Sequence, residues 1–349
     1  MPITHRLLAV CVAVLWGFNF LAIHASLEHF PPFFLVALRW TLLAIPTILL
    51  IPRPQVPLRW LVGYGLGFGV LQFTFLYWAM SAGMPVGLAS LVLQASAPFT
   101  VLLGAFFLRE HLTPLRVVGV LVAVGGLAVV GSQRFAGATW VPFLLTVAAG
   151  FGWAIGNVCS RRAGAPNPFH LTMWMTVIPP LPMLALALAV EGPARIADSL
   201  ATAFTAEAMP ALVGLLYTVL PATVLGSGIW TWLMGRHPAG VVAPFSMLVP
   251  VTGLTVAWLV LNERPSGIEL LGCVIVVAGV LLGSLRTFPV PPTPRSDRGA
   301  AATAGRSDPP PGQPRSRWTR DVAITSGVSP TRSSTWPREP WSRNSLGMP

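Results

Sequence analysis

The chain has 349 residues, of which 54% are hydrophobic and only 9% charged, whereas a soluble globular chain carries roughly a quarter of its residues as Asp, Glu, Lys and Arg. A water-dissolved globule is therefore excluded. The net charge of +11 comes from arginines in short gaps between apolar runs or in the C-terminal stretch. No stacking platform lies beside them, so nucleic acid is not a partner.

Taken in chain order, apolar runs punctuated by Pro, Gly and charge predict helices near 7–26, 33–51, 60–81, 85–108, 115–132, 141–160, 169–190, 208–234, 239–261 and 267–285. A run of about 20 apolar residues spans roughly 30 Å of hydrocarbon as a helix. The expected fold is all-α and polytopic, with ten transmembrane helices. The first run follows Arg6 like a signal peptide, but it lacks a small-residue cleavage site and leads into further spans, so it reads as a retained helix. Cys11, Cys159 and Cys273 lie in separate runs without metal-ligand or CxxC spacing, which indicates neither a disulfide framework nor a zinc site.

Arginine distribution gives an orientation, because cytoplasmic loops are enriched in positive charge. With the N-terminus inside, Arg6, Arg53, Arg59, Arg109, Arg116, Arg161, Arg162, Arg236 and Arg286 fall on the inner side, and Arg134, Arg195 and Arg264 outside. Both termini are then cytoplasmic, in a bacterial inner membrane. Residues 287–349 turn to Pro, Arg, Ser, Gly and Thr, as in Pro309-Pro310-Pro311. That composition predicts a disordered cytoplasmic tail whose arginines could meet anionic membrane lipids.

Superposing Glu110 on Glu263 aligns Pro85 with Pro238, Gly87 with Gly240, Gly119 with Gly272 and Gly126 with Gly279, without a gap. The halves, 1–133 and 134–286, read as repeats of five helices each. An odd number of spans forces the second copy to run upside down, the architecture used for alternating access. Glu110 and Glu263 are expected to fix the turns they sit in. Thr113 and Ser266 suit N-caps, with Pro114 in the first helical turn. Small-xxx-small glycines, Gly63 to Gly69 and Gly279 with Gly283, predict close helix packing; the same spacing would also serve a homodimer. Pro98, Pro179, Pro180, Pro182, Pro221, Pro244 and Pro250 interrupt spans as candidate hinges.

Several strings carry a family resemblance: Trp16-Gly17-Phe18-Asn19-Phe20, Ala37-Leu38-Arg39-Trp40, the run from Gly83 to Ala95, and the two Glu-containing turns. Residues 6 to 286 resemble the EamA family of the drug/metabolite transporter superfamily. Within it, the Gly83 to Ala95 run, Arg53-Pro54-Gln55-Val56-Pro57-Leu58 and Ser246-Met247-Leu248-Val249-Pro250-Val251 are similar to the bacterial exporters of O-acetylserine and cysteine. The resemblance implies export of small polar metabolites and no cofactor. It also implies a central cavity lined by the first four helices of each half, and the tail is not part of the pattern.

Polar groups at membrane depth are costly unless they face protein or water, so they are the substrate-binding candidates. They are Asn19, Asn157, Gln72 and Gln94, with Arg39 suited to a bidentate pair with a substrate carboxylate. Trp16, Tyr77, Trp153, Trp174 and Trp230 could wall the cavity and stack on an ammonium group. Each has a plainer reading as helix-helix bonding, snorkelling or packing. A lipid or drug translocator on the same scaffold stays open. An intramembrane enzyme has little support, since HExxH, GxSxG and paired intramembrane acids are absent from the sequence.

Overall fold

The computed structural model describes residues 1–109, 112–136, 140–237 and 239–284. Glu110, His111, Pro238 and the tail lie outside the described residues. Among those described, the regular elements are all helices. Nine are long and apolar enough to cross a bilayer: α1 (Ile3–Leu27), α2 (Pro32–Leu50), α3 (Leu58–Ser81), α4 (Val86–Leu108), α5 (Pro114–Ala136), α6 (Trp140–Ala163), α7 (Pro168–Val190), α8 (Met209–Arg236) and α9 (Ala243–Leu261). The tenth, α10 (Gly267–Ser284), is apolar but shorter. A short amphipathic helix, Pro193–Ala201, lies between α7 and α8.

Local chemistry sets the helix ends. Pro114 opens α5, and the Thr113 hydroxyl accepts the Arg116 N–H. Ser266 and Glu269 form a reciprocal capping box at the start of α10, with bonds of 2.8 and 3.2 Å. Asn167 caps α7 through Phe169 and His170 N–H. Arg109 and Asn262 end α4 and α9 in the left-handed conformation, with φ of 54° and 55°, which releases the chain into the following turn.

The two halves are related by their packing as well as their sequence. Helix α1 lies against α8 and α9, and the corresponding α6 lies against α3 and α4, while α2 meets α7, α4 meets α9 and α5 meets α10. Exchanging each helix for its counterpart reproduces this pattern. The offset that superposes Glu110 on Glu263 also carries the π-helical segment of α3, Gly65–Gln72, onto that of α8, Thr218–Leu225, and Arg109 onto Asn262. The fold is thus two inverted five-helix repeats, interleaved rather than set side by side.

Close approach requires residues without side chains. A Cβ on Gly119 would lie 2.4 Å from Gly283 N, and one on Gly279 2.4 Å from Ala123 N, with Gly126 and Gly272 in the same seam. Gly279 and Gly283 are thus taken up by the α5–α10 contact inside one chain. In α3, Gly67 meets Gly156 of α6, and Gly65 and Gly69 meet Ile178 and Pro179, where α7 breaks between its two helical stretches.

The helix ends define two faces. One carries Arg6, Arg53, Arg59, Arg109, Arg116, Arg161, Arg162 and Arg236, and there the Arg162 guanidinium donates to Phe107 O and lies over the Trp60 ring. The other carries Glu28, Glu191, Asp198, Glu207, Glu263 and Glu269. Gly279→Val should destabilise the protein by about 1–3 kcal/mol through overpacking. Gly125→Ala, where no atom lies within 4 Å of the added Cβ, should be neutral or slightly stabilising. Thermal unfolding of the detergent-solubilised variants checks the contrast.

Candidate functional site

Arg39 sits about 10 Å along α2 at 1.5 Å per residue and is 4% exposed. A guanidinium cannot shed its charge in proteins, so its surroundings must satisfy it. Nη1 donates to the Tyr77 hydroxyl at 3.0 Å and Nη2 to Thr223 Oγ1 at 2.9 Å. The cation lies 4.2 Å from the Phe73 ring centroid and 4.9 Å from that of Trp40. Among the described residues Nε has no partner and no carboxylate contacts the guanidinium. Burial rules out snorkelling, and the described hydrogen-bond partners are neutral.

The π-helical segments shape this region by widening the backbone and turning carbonyls outward, a feature frequent at functional sites. Gly69 O in α3 accepts the Trp40 indole N–H at 3.0 Å, and Ala222 O in α8 accepts that of Trp16 at 2.9 Å. Thr223, next to Ala222, donates to Thr218 O at 2.7 Å while accepting from Arg39. Pro221 lies inside the same segment. Helices α1, α2 and α3 of one repeat therefore meet α8 of the other around the guanidinium.

The structure brings several of the candidates together. Trp16 and Trp230 are in ring contact at 5.1 Å, and Trp16 is tied to the segment holding Thr223. Asn19 follows Trp16 by three residues on the same face of α1, and its buried Oδ1 has no partner. Rings run from Tyr77 through Phe73 and Phe68 to Trp153, with centroids 5.7–6.0 Å apart. Gln72, 3% exposed, precedes Phe73 and has an unpartnered Oε1.

Other candidates hold helices to one another. Asn157 donates to Thr100 Oγ1 at 3.1 Å, joining α6 to α4, and Gln94 contacts Met247 Sδ at 3.4 Å, joining α4 to α9. The equivalence expected of Asn19 and Asn157 does not extend to their partners. The Trp174 indole donates to Ile51 O at the end of α2 at 2.9 Å, an anchoring contact. His24 pairs with Glu28 at 3.6 Å on a solvated edge.

Glu263 corrects a further expectation. Its carboxylate does not brace its own turn but reaches the opposite repeat, accepting Val86 N–H at 2.8 Å and Gly87 N–H at 2.9 Å at the start of α4. Glu191, which the sequence did not single out, does the same to Phe33 and Phe34 N–H at the start of α2, at 2.7 and 2.8 Å. Burial pushes the Glu191 carboxyl above its ordinary range, against the lowering pull of these two bonds and of Arg195. Thr223 and Phe73 were also missed. A polar residue beside Pro221 in an apolar run was the available signal for Thr223.

Residues 5–132 and 140–285 match the model of the EamA-like transporter family. The chain belongs to this family. It is 41% identical over 281 residues to a probable amino-acid metabolite efflux pump of Escherichia coli, covering 79% of this chain and 93% of that one. It is 43% identical over the same length to the protein of that description from Salmonella typhimurium, with equal coverage. A probable terminal-alkyne amino-acid exporter of Streptantibioticus cattleyicolor is 28% identical over 228 residues, 64% of this chain and 70% of that one. A crystal structure of 22% identity superposes with a TM-score of 0.55 over 81% of this chain and 98% of its own, a likeness of fold alone. This EamA chain is a multi-pass membrane efflux transporter.

Tyr77→Phe should leave a buried guanidinium N–H without an acceptor and cost about 1.5–3 kcal/mol, the range for hydrogen bonds to charged groups. Thr41→Val, which removes a bond to the carbonyl of Ala37 on its own helix, should cost less than about 1 kcal/mol. Comparing melting temperatures of the two variants in one detergent measures the difference.

Proposed function

We propose that this chain exports small polar amino-acid metabolites, cysteine and O-acetylserine among them, across a bacterial inner membrane by alternating access. Both termini face the cytoplasm, and the repeats 1–133 and 134–286 rock about a shared site. One observation carries the substrate class. Among the described residues, the buried polar side-chain atoms left without a partner are a guanidinium N–H on Arg39 and two amide oxygens, on Asn19 and Gln72. A free amino acid offers the complement, a carboxylate for the guanidinium and an ammonium for the amide oxygens.

Arg39 takes the carboxylate, in charge-assisted bonds roughly twice as strong as neutral ones. Asn19 and Gln72 take the ammonium. Trp16, Tyr77, Trp153 and Trp230 wall the site, and Gln94 and Asn157 brace the helices around it. Placing the arginine-rich face in the cytoplasm follows the enrichment of positive charge on that side, and the named relatives support amino-acid export. A buried guanidinium favours a substrate with an anionic group over a neutral lipophilic drug.

The test uses proteoliposomes loaded with O-acetylserine, cysteine or a lipophilic drug. Efflux of the amino acids should exceed that from empty liposomes, and masking the carboxylate as a methyl ester should abolish it. Arg39→Gln should lower transport at least tenfold while the protein stays monodisperse. Efflux of the drug but of neither amino acid refutes the proposed function.

A further inference from the structure

We propose that Glu191 and Glu263 form a double latch that holds the acidic face of the transporter shut by binding each repeat to the other. Glu191, at the end of α7, places both carboxylate oxygens on successive N–H groups at the start of α2. Glu263, just past the end of α9, does so at the start of α4. In both cases the carboxylate belongs to the second repeat and the helix it grips to the first. The first N–H groups of a helix have no partner within it, and the helix dipole favours negative charge there. Each latch therefore satisfies two donors that opening would leave bare.

The seam beneath the Glu263 latch is tight. A Cβ on Gly253 of α9 would lie 2.4 Å from Ser90 Oγ of α4, and one on Gly17 of α1 2.4 Å from Thr252 Cβ. Gly87, whose N–H Glu263 accepts, sits against Leu254 and Ala257. Ser90 itself is 1% exposed. The described acids all lie on this face, so no described residue can form the same carboxylate grip on the arginine-rich face. Glu110, the repeat counterpart of Glu263, lies outside the described residues. Breaking both grips is the step that opening of the acidic face requires.

Opening of that face rests on the alternating-access reading, but the latch itself is tested without any substrate. Ser90→Cys is introduced into a chain whose native cysteines are replaced by alanine, reconstituted in nanodiscs and exposed to a polar thiol reagent. A Gln side chain keeps the size of Glu but accepts only one of the two N–H bonds. Glu191→Gln and Glu263→Gln should each speed labelling at position 90 several-fold, and together at least tenfold. Labelling of Thr47→Cys, at a buried position near the end of α2 that leads to Arg53, should not change. An unaltered rate at position 90 in the double variant overturns the latch. So does equal acceleration at position 47, which reports general loosening.

Discussion

A permanent positive charge held inside an apolar bundle is the constraint around which this structure is organised. Insertion scales put an arginine at the centre of a membrane helix at roughly 3 kcal/mol unfavourable, and more when it is isolated. Arg39 escapes that cost through two hydroxyls and two ring faces. Those partners come from α2, α3 and α8, so the charge ties the repeats together at the depth where a transported molecule must cross. Neutral acceptors satisfy the guanidinium only in part, leaving Nε unpaired. In the proposed mechanism a substrate carboxylate completes that coordination.

Meeting that constraint needs backbone that is neither straight nor regular. The π-helical segments of α3 and α8 occupy equivalent positions in the two repeats. Each turns a carbonyl towards an indole N–H, and that of α8 also brings Thr223 to the guanidinium. Irregular backbone survives at membrane depth only where protein or water takes up the released groups. The glycines of α3 and α6 allow the approach that provides this cover, and the seam of α5 and α10 uses the same device at the periphery.

Much of this was legible in the sequence. Ten apolar runs, their inversion and the arginine-rich face follow from hydrophobicity, odd helix count and charge, which depend on composition along the chain and not on contacts across it. The same holds for Arg39: its expense in hydrocarbon is evident before any partner is known. The Ser266 cap was readable because its partners are three residues away. What stayed hidden depends on contacts between distant segments. Nothing local in Glu191 or Glu263 tells that the bare N–H groups they serve start helices in the opposite repeat. The π-helical segments were hidden for the same reason, since their hydrogen-bond register answers to packing against α6, α7 and α1. Asn19 and Asn157 looked alike by position, yet only Asn157 found a threonine across its interface.

The most direct measurement is an experimental structure of the protein with O-acetylserine bound. The substrate carboxylate should lie within hydrogen-bonding distance of the Arg39 guanidinium, about 2.7–2.9 Å for a charge-assisted pair, with its ammonium against the amide oxygens of Asn19 and Gln72. A bound amino acid whose carboxylate sits elsewhere, with Arg39 still held only by Tyr77 and Thr223, would contradict the account.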